Sequence, residues 1–269
     1  MDIKFGRKEP RFYPTQNGMV PSATTVLSVL NKPMLMPWAA NCAVDYVIDN
    51  SDVNATLSGE LGTWKCYDAY CHILDEARTA YKRESKESMN YGTYIHTLCK
   101  YYFETGTEIE SPHEMTDKLM KSFYVWYKKH SVVPLETETA VYGDSYAGRV
   151  DLVCLMRQYW MSKKWCENNG YEWHRGIEKE RTVILIDFKT GKGSYYTDWP
   201  LQIAGYRKAV PFDLNHHGIL KFNKETMKVN FKCFSPSYEN DYKSFMDLVR
   251  FYWRQNQWKG KNENVHITM

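Results

Sequence analysis

The spacing of apolar residues changes along the chain from a helical period to a strand period near residue 132. Apolar residues first recur every three or four positions, which predicts helices over 24–30, 36–48, 64–83, 90–103 and 116–129. The later pattern predicts strands over 132–142, 146–156 and 182–188, a helix over 198–210, a hairpin of 218–222 with 229–233, and a helix over 238–254. Residues 1–20 are predicted to be irregular. These elements predict an α/β fold.

Two of the predicted strands carry acids that suit metal binding. Asp187 and Lys189 lie two residues apart in the segment 184–192, so both side chains project to the same face of the strand. Asp151 belongs to the second predicted strand, 146–156, and follows Gly148 by three residues. A carboxylate can hold Mg²⁺, and a neighbouring lysine can stabilise negative charge that develops on a phosphoryl oxygen. The two strands together suit metal-assisted hydrolysis of a phosphodiester. The alternative is that Asp187 and Lys189 are solvated residues at a strand end and that Asp151 caps a hairpin.

Two predicted helices carry polar residues that could complete such a site. His96 follows Gly92 and Thr93, and it is either a metal ligand, a partner of a metal-bound water, or an ordinary helical side chain. Gln202 and Tyr206 lie one turn apart on one helix face, where they could position Lys189 or a nucleic-acid strand. The alternative is that both are polar residues of an exposed face. For the same helix, Asp198 is the expected cap, and Pro200 lies in its first turn.

The order of these motifs (Gly-Thr-x-x-His, Gly-x-x-Asp, Asp-x-Lys-Thr and Gln-x-x-x-Tyr) resembles the PD-(D/E)XK nuclease superfamily. It is most similar to the RecB-like branch, which includes phage exonucleases and the mitochondrial genome maintenance exonuclease. Residues 21–27, followed by Lys32, Pro33 and Trp38, are similar to the amino-terminal segment of those proteins. The resemblance runs from about residue 20 to residue 210. It implies a restriction-endonuclease-like core, with a mixed central sheet flanked by helices, in residues 89–258. A helical region, residues 1–88, would cover the cleft, and residues 259–269 would form a polar tail.

The resemblance also implies residue roles. The catalytic residues would be Lys189, Asp187, Asp151 and Glu138. The ligands of Mg²⁺ or Mn²⁺ would be His96, Asp151, Asp187 and the carbonyl of Phe188. Substrate-binding residues would be Gln202, Tyr206 and Thr190. The choice between Glu138 and Glu136 for the additional acid stays open, since the two are close in the same strand.

The implied activity is metal-dependent cleavage of DNA, with an exonuclease acting on single strands or ends favoured. A structure-specific or nicking endonuclease, an inactive nucleic-acid-binding accessory protein and a non-nuclease hydrolase are the alternatives. The partners would be DNA and a recombination or replication protein. The oligomeric state, the strand polarity and the preference between DNA and RNA stay open.

Composition narrows the setting further. The formal charge of +3 permits nucleic-acid binding without requiring it. Some nucleases of the RecB-like branch hold an iron–sulfur cluster with three cysteines near the carboxyl end. Of the seven cysteines here only Cys233 lies beyond residue 210, where the resemblance ends, so no cluster is expected. We expect an intracellular protein that is neither secreted nor membrane-bound. A phage origin is what the similarity of the size and of the amino-terminal segment to phage proteins implies. The insertion over 157–181, rich in basic and aromatic residues, is expected either to contact substrate or to dock a partner.

Overall fold

The computed structural model of the chain describes residues 11–30, 32–33, 35–50, 64–157, 181–192 and 195–259. They divide between two compact units, one within residues 1–29 and 92–269 and the other within residues 30–91. The first unit contains the sheet. Its strands are β1 (Phe12–Thr15), β2 (Gly18–Pro21), β3 (Val133–Tyr142), β4 (Ala147–Arg157), β5 (Arg181–Gly191), β6 (His216–Asn223) and β7 (Lys228–Cys233).

The described residues also form helices before, between and after these strands along the chain. They are α1 (Ala23–Leu27), α2 (Leu35–Asn50), α3 (Trp64–Ala77), α4 (Ala80–Thr105), α5 (Glu114–Lys129), α6 (Asp198–Ala209) and α7 (Tyr238–Lys259), with a 3₁₀ turn at Ser235–Ser237. The unit of residues 30–91 contains α2, α3 and the first part of α4. Within the described part of the chain, no helix has the length and apolar character needed to cross a membrane.

The main sheet has five strands in the order β3-β4-β5-β6-β7, and it is mixed. β5 and β6 run parallel, whereas the other neighbouring pairs are antiparallel. A parallel pair needs a long crossover connection, and α6 supplies it between β5 and β6. The prediction of an α/β protein with a mixed sheet flanked by helices is therefore confirmed.

The two faces of the sheet are covered by different helices. On one face, the ring of Phe123 from α5 lies 6.4 Å from that of Phe188 on β5 and 5.7 Å from that of Phe222 on β6. On the other face, Lys189 of β5 donates a hydrogen bond to Gln202 of α6. Side chains alternate between faces along a strand, so Phe188 builds the aromatic core while Lys189 points toward α6.

α6 and α7 approach each other closely at Gly205. A Cβ added to Gly205 would lie 2.6 Å from the ring of Phe245 on α7, which is closer than real Cβ contacts. The carbonyl of Gly205 also accepts a hydrogen bond of 2.7 Å from the buried hydroxyl of Tyr146. The absence of a side chain at this position therefore allows α6 to pack between the sheet and α7.

The prediction that residues 1–20 are irregular is wrong for the described residues 12–20. Phe12 pairs with Pro21 and Thr15 pairs with Gly18, so β1 and β2 form a two-residue hairpin. Gly18 has φ of +111°, and Asn17 donates its backbone N–H to the hydroxyl of Thr15. Asn-Gly is a strong hairpin signal in sequences. The hairpin precedes α1, and Ser22 at that junction forms a bridge with Ala147 at the start of β4.

The predicted helices over 64–83 and 90–103 have a different boundary in the structure. α3 ends at Ala77, α4 begins at Ala80, and Gly92 lies inside α4 instead of opening a helix. The last carbonyls of a helix have no hydrogen-bond donor within the helix. At the end of α3, the hydroxyl of Thr79 and the guanidinium of Arg83 both donate to the carbonyl of Glu76. An internal glycine costs a helix only about 1 kcal/mol, so α4 continues through Gly92.

The remaining helices and strands are confirmed to within a few residues, with one correction at α6. Thr197, not Asp198, is the residue that precedes α6, and Asp198 is its first helical residue. An acid in the first turn still interacts favourably with the helix dipole. Pro200 lies in that turn as predicted. The grouping of residues 1–88 differs from the observed units, because β1, β2 and α1 belong with the sheet. Residues 158–180 of the predicted insertion and residues 260–269 of the predicted tail lie outside the described residues.

Candidate functional site

The site lies where β4 and β5 separate. The pairing of these strands runs from Arg157 with Arg181 to Leu152 with Ile186, and the next residues, Asp151 and Asp187, lie beyond it. In place of a backbone partner, the amide N–H of Phe188 donates to Oδ2 of Asp151 at 2.5 Å. Both carboxylates are buried, with 8% of Asp151 and 4% of Asp187 exposed. The end of the ladder therefore makes room for two acids inside the sheet unit.

His96 reaches these acids from α4. Its Nδ1 lies 3.1 Å from Oδ1 of Asp151 and 3.8 Å from Oε1 of Glu138. The imidazole of His96 also lies edge-on to the ring of Phe188, with centroids 5.6 Å apart. This contact helps to orient the imidazole so that Nδ1 faces the carboxylates. One nitrogen of His96 and one oxygen each of Glu138 and Asp151 lie within 4.8 Å of one another.

Glu138 enters the cluster through an unusual backbone conformation. Its φ is +52°, a left-handed value that costs a non-glycine residue roughly 1–3 kcal/mol. It lies between the pairs Thr137–Leu152 and Thr139–Val150, which puts it across from Asp151. By contrast, the carboxylate of Glu136 accepts a hydrogen bond of 2.8 Å from Thr139. Of the two acids left open by the sequence, the structure brings Glu138 to His96.

The cluster perturbs the ionisation of its members. Burial by itself lowers the pKa of His96, but the carboxylates of Asp151 and Glu138 outweigh it and raise the pKa to about 10. Burial tends to raise the pKa of Asp151, yet the His96 cation beside it holds that pKa below the ordinary value. Burial raises the pKa of Asp187 to about 6, against the opposing effect of the Lys189 ammonium. The carboxylates therefore stabilise positive charge at this position strongly.

Lys189 is held between a carboxylate and an amide. Its Nζ lies 2.7 Å from Oδ2 of Asp187, and it donates a hydrogen bond of 2.9 Å to Oε1 of Gln202. The amide nitrogen of Gln202 donates in turn to the hydroxyl of Tyr206 at 2.9 Å and to that of Thr24 at 3.1 Å. Because the nitrogen faces two hydroxyls, the amide oxygen is directed at the ammonium. These hydrogen bonds link Lys189 through Gln202 to Tyr206 of α6 and Thr24 of α1, and they fix the orientation of the Lys189 side chain.

The alternative that Gln202 and Tyr206 belong to an exposed helix face is wrong, since only 6% and 1% of them are exposed. The close packing of Tyr206 also explains the glycine that begins the Gly-x-x-Asp motif. A Cβ on Gly148 would lie 2.2 Å from the Tyr206 ring. Gly148 therefore lets the tyrosine lie directly against β4, beside the acids.

The structure brings together seven of the predicted site residues: His96, Glu138, Asp151, Asp187, Lys189, Gln202 and Tyr206. Phe188 contributes its N–H to Asp151, whereas a role for its carbonyl stays a prediction. Thr190 lies on the face opposite Lys189, where its hydroxyl would be 3.0 Å from a Cβ on Gly92. Contact between Thr190 and substrate stays a prediction.

Two residues near the site were not assigned roles from the sequence. Thr24 accepts the second hydrogen bond of the Gln202 amide, and it lies in the 21–27 segment that carries part of the resemblance. Arg149 lies two residues before Asp151, with its guanidinium 3.9 Å from Oε2 of Glu138. A cation two residues from a predicted ligand on the same strand face was a signal for Arg149.

A scan against protein-family models finds no match to this chain, and a search of curated proteins finds no significant match.

Proposed function

We propose that this protein is a divalent-metal-dependent DNA nuclease with a PD-(D/E)XK fold, and that it acts as an exonuclease on single strands or DNA ends. The supporting observation is the meeting of His96, Glu138 and Asp151 within 4.8 Å of one another, at the strand end that also carries Asp187 and Lys189. The acids lie on β3, β4 and β5, the imidazole on α4, and Lys189 on β5, where Asp187 and Gln202 hold it. This combination of groups matches the chemistry of phosphodiester hydrolysis.

The donor set fits a small divalent cation. Carboxylate oxygens are preferred ligands of Mg²⁺ and Mn²⁺, and an imidazole nitrogen suits Mn²⁺ better than Mg²⁺. The carboxylates already stabilise positive charge, since they raise the pKa of His96 to about 10. A cation held by Nδ1 of His96 has to displace that proton, so the two charges of the metal ion replace the single charge of the proton. Glu138, Asp151 and His96 would hold it, and Asp187 lies beside them.

When bound, such a cation polarises a phosphoryl oxygen and lowers the pKa of a water molecule. The protein's own residues then orient the reactants. Asp187 and Gln202 hold the ammonium of Lys189 in one position, where it can donate to a phosphate oxygen and stabilise the negative charge that develops there. Burial of Asp151 and Asp187 excludes water from the acids and strengthens these electrostatic interactions.

The preference for an exonuclease comes from the resemblance to the RecB-like branch, and a structure-specific or nicking endonuclease would use the same residues. An inactive accessory protein that only binds nucleic acid is the candidate from another class. The complete set of acids and lysine favours the enzyme, because a binding protein has no requirement for a lysine that is held by a buried carboxylate beside two further carboxylates. An intracellular role in phage replication, recombination or repair is part of this proposal.

The test is degradation of end-labelled linear DNA and of closed circles, in Mg²⁺, in Mn²⁺ and in EDTA. Metal-dependent loss of linear DNA by the wild type, with circles intact, is the expected result, and the labelled end identifies the polarity. Asp187→Asn should abolish cleavage. The matched control Asp247→Asn removes an exposed acid of α7, which pairs with Arg250, and should cleave like the wild type.

Cleavage of closed circles would replace the exonuclease by an endonuclease. Equal cleavage by the wild type and Asp187→Asn would remove the site assignment. Failure of the wild type to cleave any linear or circular DNA in either metal would reject a deoxyribonuclease, and an RNA substrate would be tested next.

A further inference from the structure

Two lysines and three aromatic residues form a patch on the sheet face that carries Lys189. We call Lys221, Lys232, Tyr195, Tyr196 and Trp199 the β7 patch. Lys221 of β6 is the register partner of Lys189, and Lys232 of β7 pairs with Ile219, the register partner of Asp187. Paired residues of neighbouring strands share a face. The patch therefore continues the face of the candidate site toward the edge strand β7.

The cations and rings of the patch are in mutual contact. The ammonium groups of Lys221 and Lys232 lie 5.5 Å and 4.9 Å from the centroid of the Tyr195 ring. Trp199 packs edge-on against Tyr195 at 5.7 Å and against Tyr196 at 5.0 Å. These are ordinary cation–π and aromatic geometries, and they hold the rings at the start of α6.

Exposure divides the patch into a buried support and an accessible surface. Only 2% of Lys221 is exposed, and burial lowers the pKa of its ammonium, against a raising effect of the Glu225 carboxylate. Lys232 is exposed, and 60% of Tyr196 is exposed. A lysine buried in an inner strand is costly compared with an apolar residue. Its charge nevertheless adds to the positive potential of this face, where a low dielectric strengthens it.

We propose that the β7 patch binds the part of a single-stranded nucleic acid that lies next to the cleaved phosphate. Lys232 contacts a backbone phosphate, Tyr196 stacks on a base, and Lys221 supports both through Tyr195 and its charge. This inference rests on the proposed nuclease function and names the substrate segment that the site accommodates. Exposed aromatic rings beside cations are the means by which proteins bind single strands without sequence preference.

The dimensions agree with this assignment. Neighbouring strands are about 4.8 Å apart, so β5 and β7 are separated by roughly 10 Å. Nucleotides stacked as in a duplex rise roughly 3.4 Å each, and an unstacked single strand is more extended, so this distance corresponds to at most about three nucleotides. A strand whose phosphate lies at Lys189 therefore reaches Lys232 within a few nucleotides.

The experiment measures binding of a fluorescein-labelled oligothymidylate by anisotropy in EDTA, where the metal-dependent reaction cannot proceed, over a series of salt concentrations. Lys232→Ala should weaken binding and reduce the salt slope by about 0.7, the value for one phosphate contact on a single strand. Tyr196→Ala should weaken binding by roughly 5- to 150-fold. Lys221→Met, which keeps the side-chain length, should weaken binding with its α-helical and β-sheet circular dichroism unchanged.

Two controls match the substitutions. Lys129→Ala removes an exposed lysine at the end of α5, which packs on the opposite face of the sheet. Tyr142→Ala removes a tyrosine that is 49% exposed on β3, the other edge strand. Both controls should bind oligothymidylate with the affinity and salt slope of the wild type.

The outcomes separate this inference from the proposed function. If the wild type cleaves DNA but Lys232→Ala and Tyr196→Ala bind like the controls, the patch assignment is overturned and the nuclease stands. If the wild type binds through the patch but cleaves nothing with Mg²⁺ or Mn²⁺, the patch stands and the nuclease fails. A wild type that does not bind oligothymidylate overturns the patch.

Discussion

Gln202 is the residue whose replacement most directly tests how Lys189 is held. Methionine has a similar length but neither the amide oxygen that accepts from Lys189 nor the nitrogen that donates to Tyr206 and Thr24. A hydrogen bond to a charged group contributes roughly 1.5–3 kcal/mol. Loss of that amount in the transition state alone corresponds to a rate lower by about 10- to 150-fold. Gln202→Met should therefore lower kcat by that factor.

Tyr206→Phe separates catalysis from stability. It removes one partner of the Gln202 amide while leaving the hydrogen bond from Lys189 to Gln202 in place. Both variants should lower the free energy of unfolding by about 1–3 kcal/mol, because each removes one hydrogen bond from a buried polar group. Only Gln202→Met should show the large fall in kcat. Single-turnover cleavage, oligonucleotide affinity and urea unfolding measure the three quantities.

The positioning role predicts a particular division between rate and binding. Lys189 stabilises charge that develops during the reaction, so Gln202→Met should change kcat with little change in substrate affinity. Equal losses of kcat in Gln202→Met and Tyr206→Phe would contradict a positioning role of Gln202, because general loosening of α6 would then explain both. A kcat of Gln202→Met equal to that of the wild type would refute it as well.

Three further predictions concern metal binding, pH and packing. Glu138→Gln should weaken the binding of Mn²⁺ measured by calorimetry, because it removes one of the clustered carboxylates, and unchanged affinity would exclude Glu138 as a ligand. Burial lowers the pKa of His217 from 6.5 to about 3, so the unfolded chain binds a proton there more readily than the folded protein. The neutral imidazole therefore contributes fully to the free energy of unfolding above pH 6.5, and this contribution is lost as the pH falls toward 3. This amounts to about 2 kcal/mol between pH 7 and pH 5, and urea unfolding of His217→Gln should lack that part of the wild-type decrease. Gly205→Ala should lower the free energy of unfolding by about 1–3 kcal/mol through contact with Phe245, whereas Gly191→Ala, which meets open space, should change it little; equal effects would refute the packing argument.

The elements of the fold follow largely from local pattern. The apolar runs of β4, β5 and β6 and the helical spacing in α5 and α7 determine which segments form strands and helices. The break between α3 and α4 was missed because Thr79 and Arg83 end α3 through side-chain hydrogen bonds, which leave no mark in the apolar spacing. The β1–β2 hairpin was missed although Asn17 and Gly18, at the end of its turn, are visible in the sequence.

The shared strand face of Asp187 and Lys189 and the shared helix face of Gln202 and Tyr206 can be predicted before folding, because each pair follows from the period of one element. That Glu138, not Glu136, meets His96 follows only from the folded chain, since it depends on the pairing of β3 with β4 and on a left-handed backbone at Glu138. Folding also brings Thr24 to support Lys189 through Gln202, across 178 positions of sequence between the two hydrogen-bonding residues. Local period sets the direction of a side chain, whereas its partner depends on register and packing between elements that are distant in the chain.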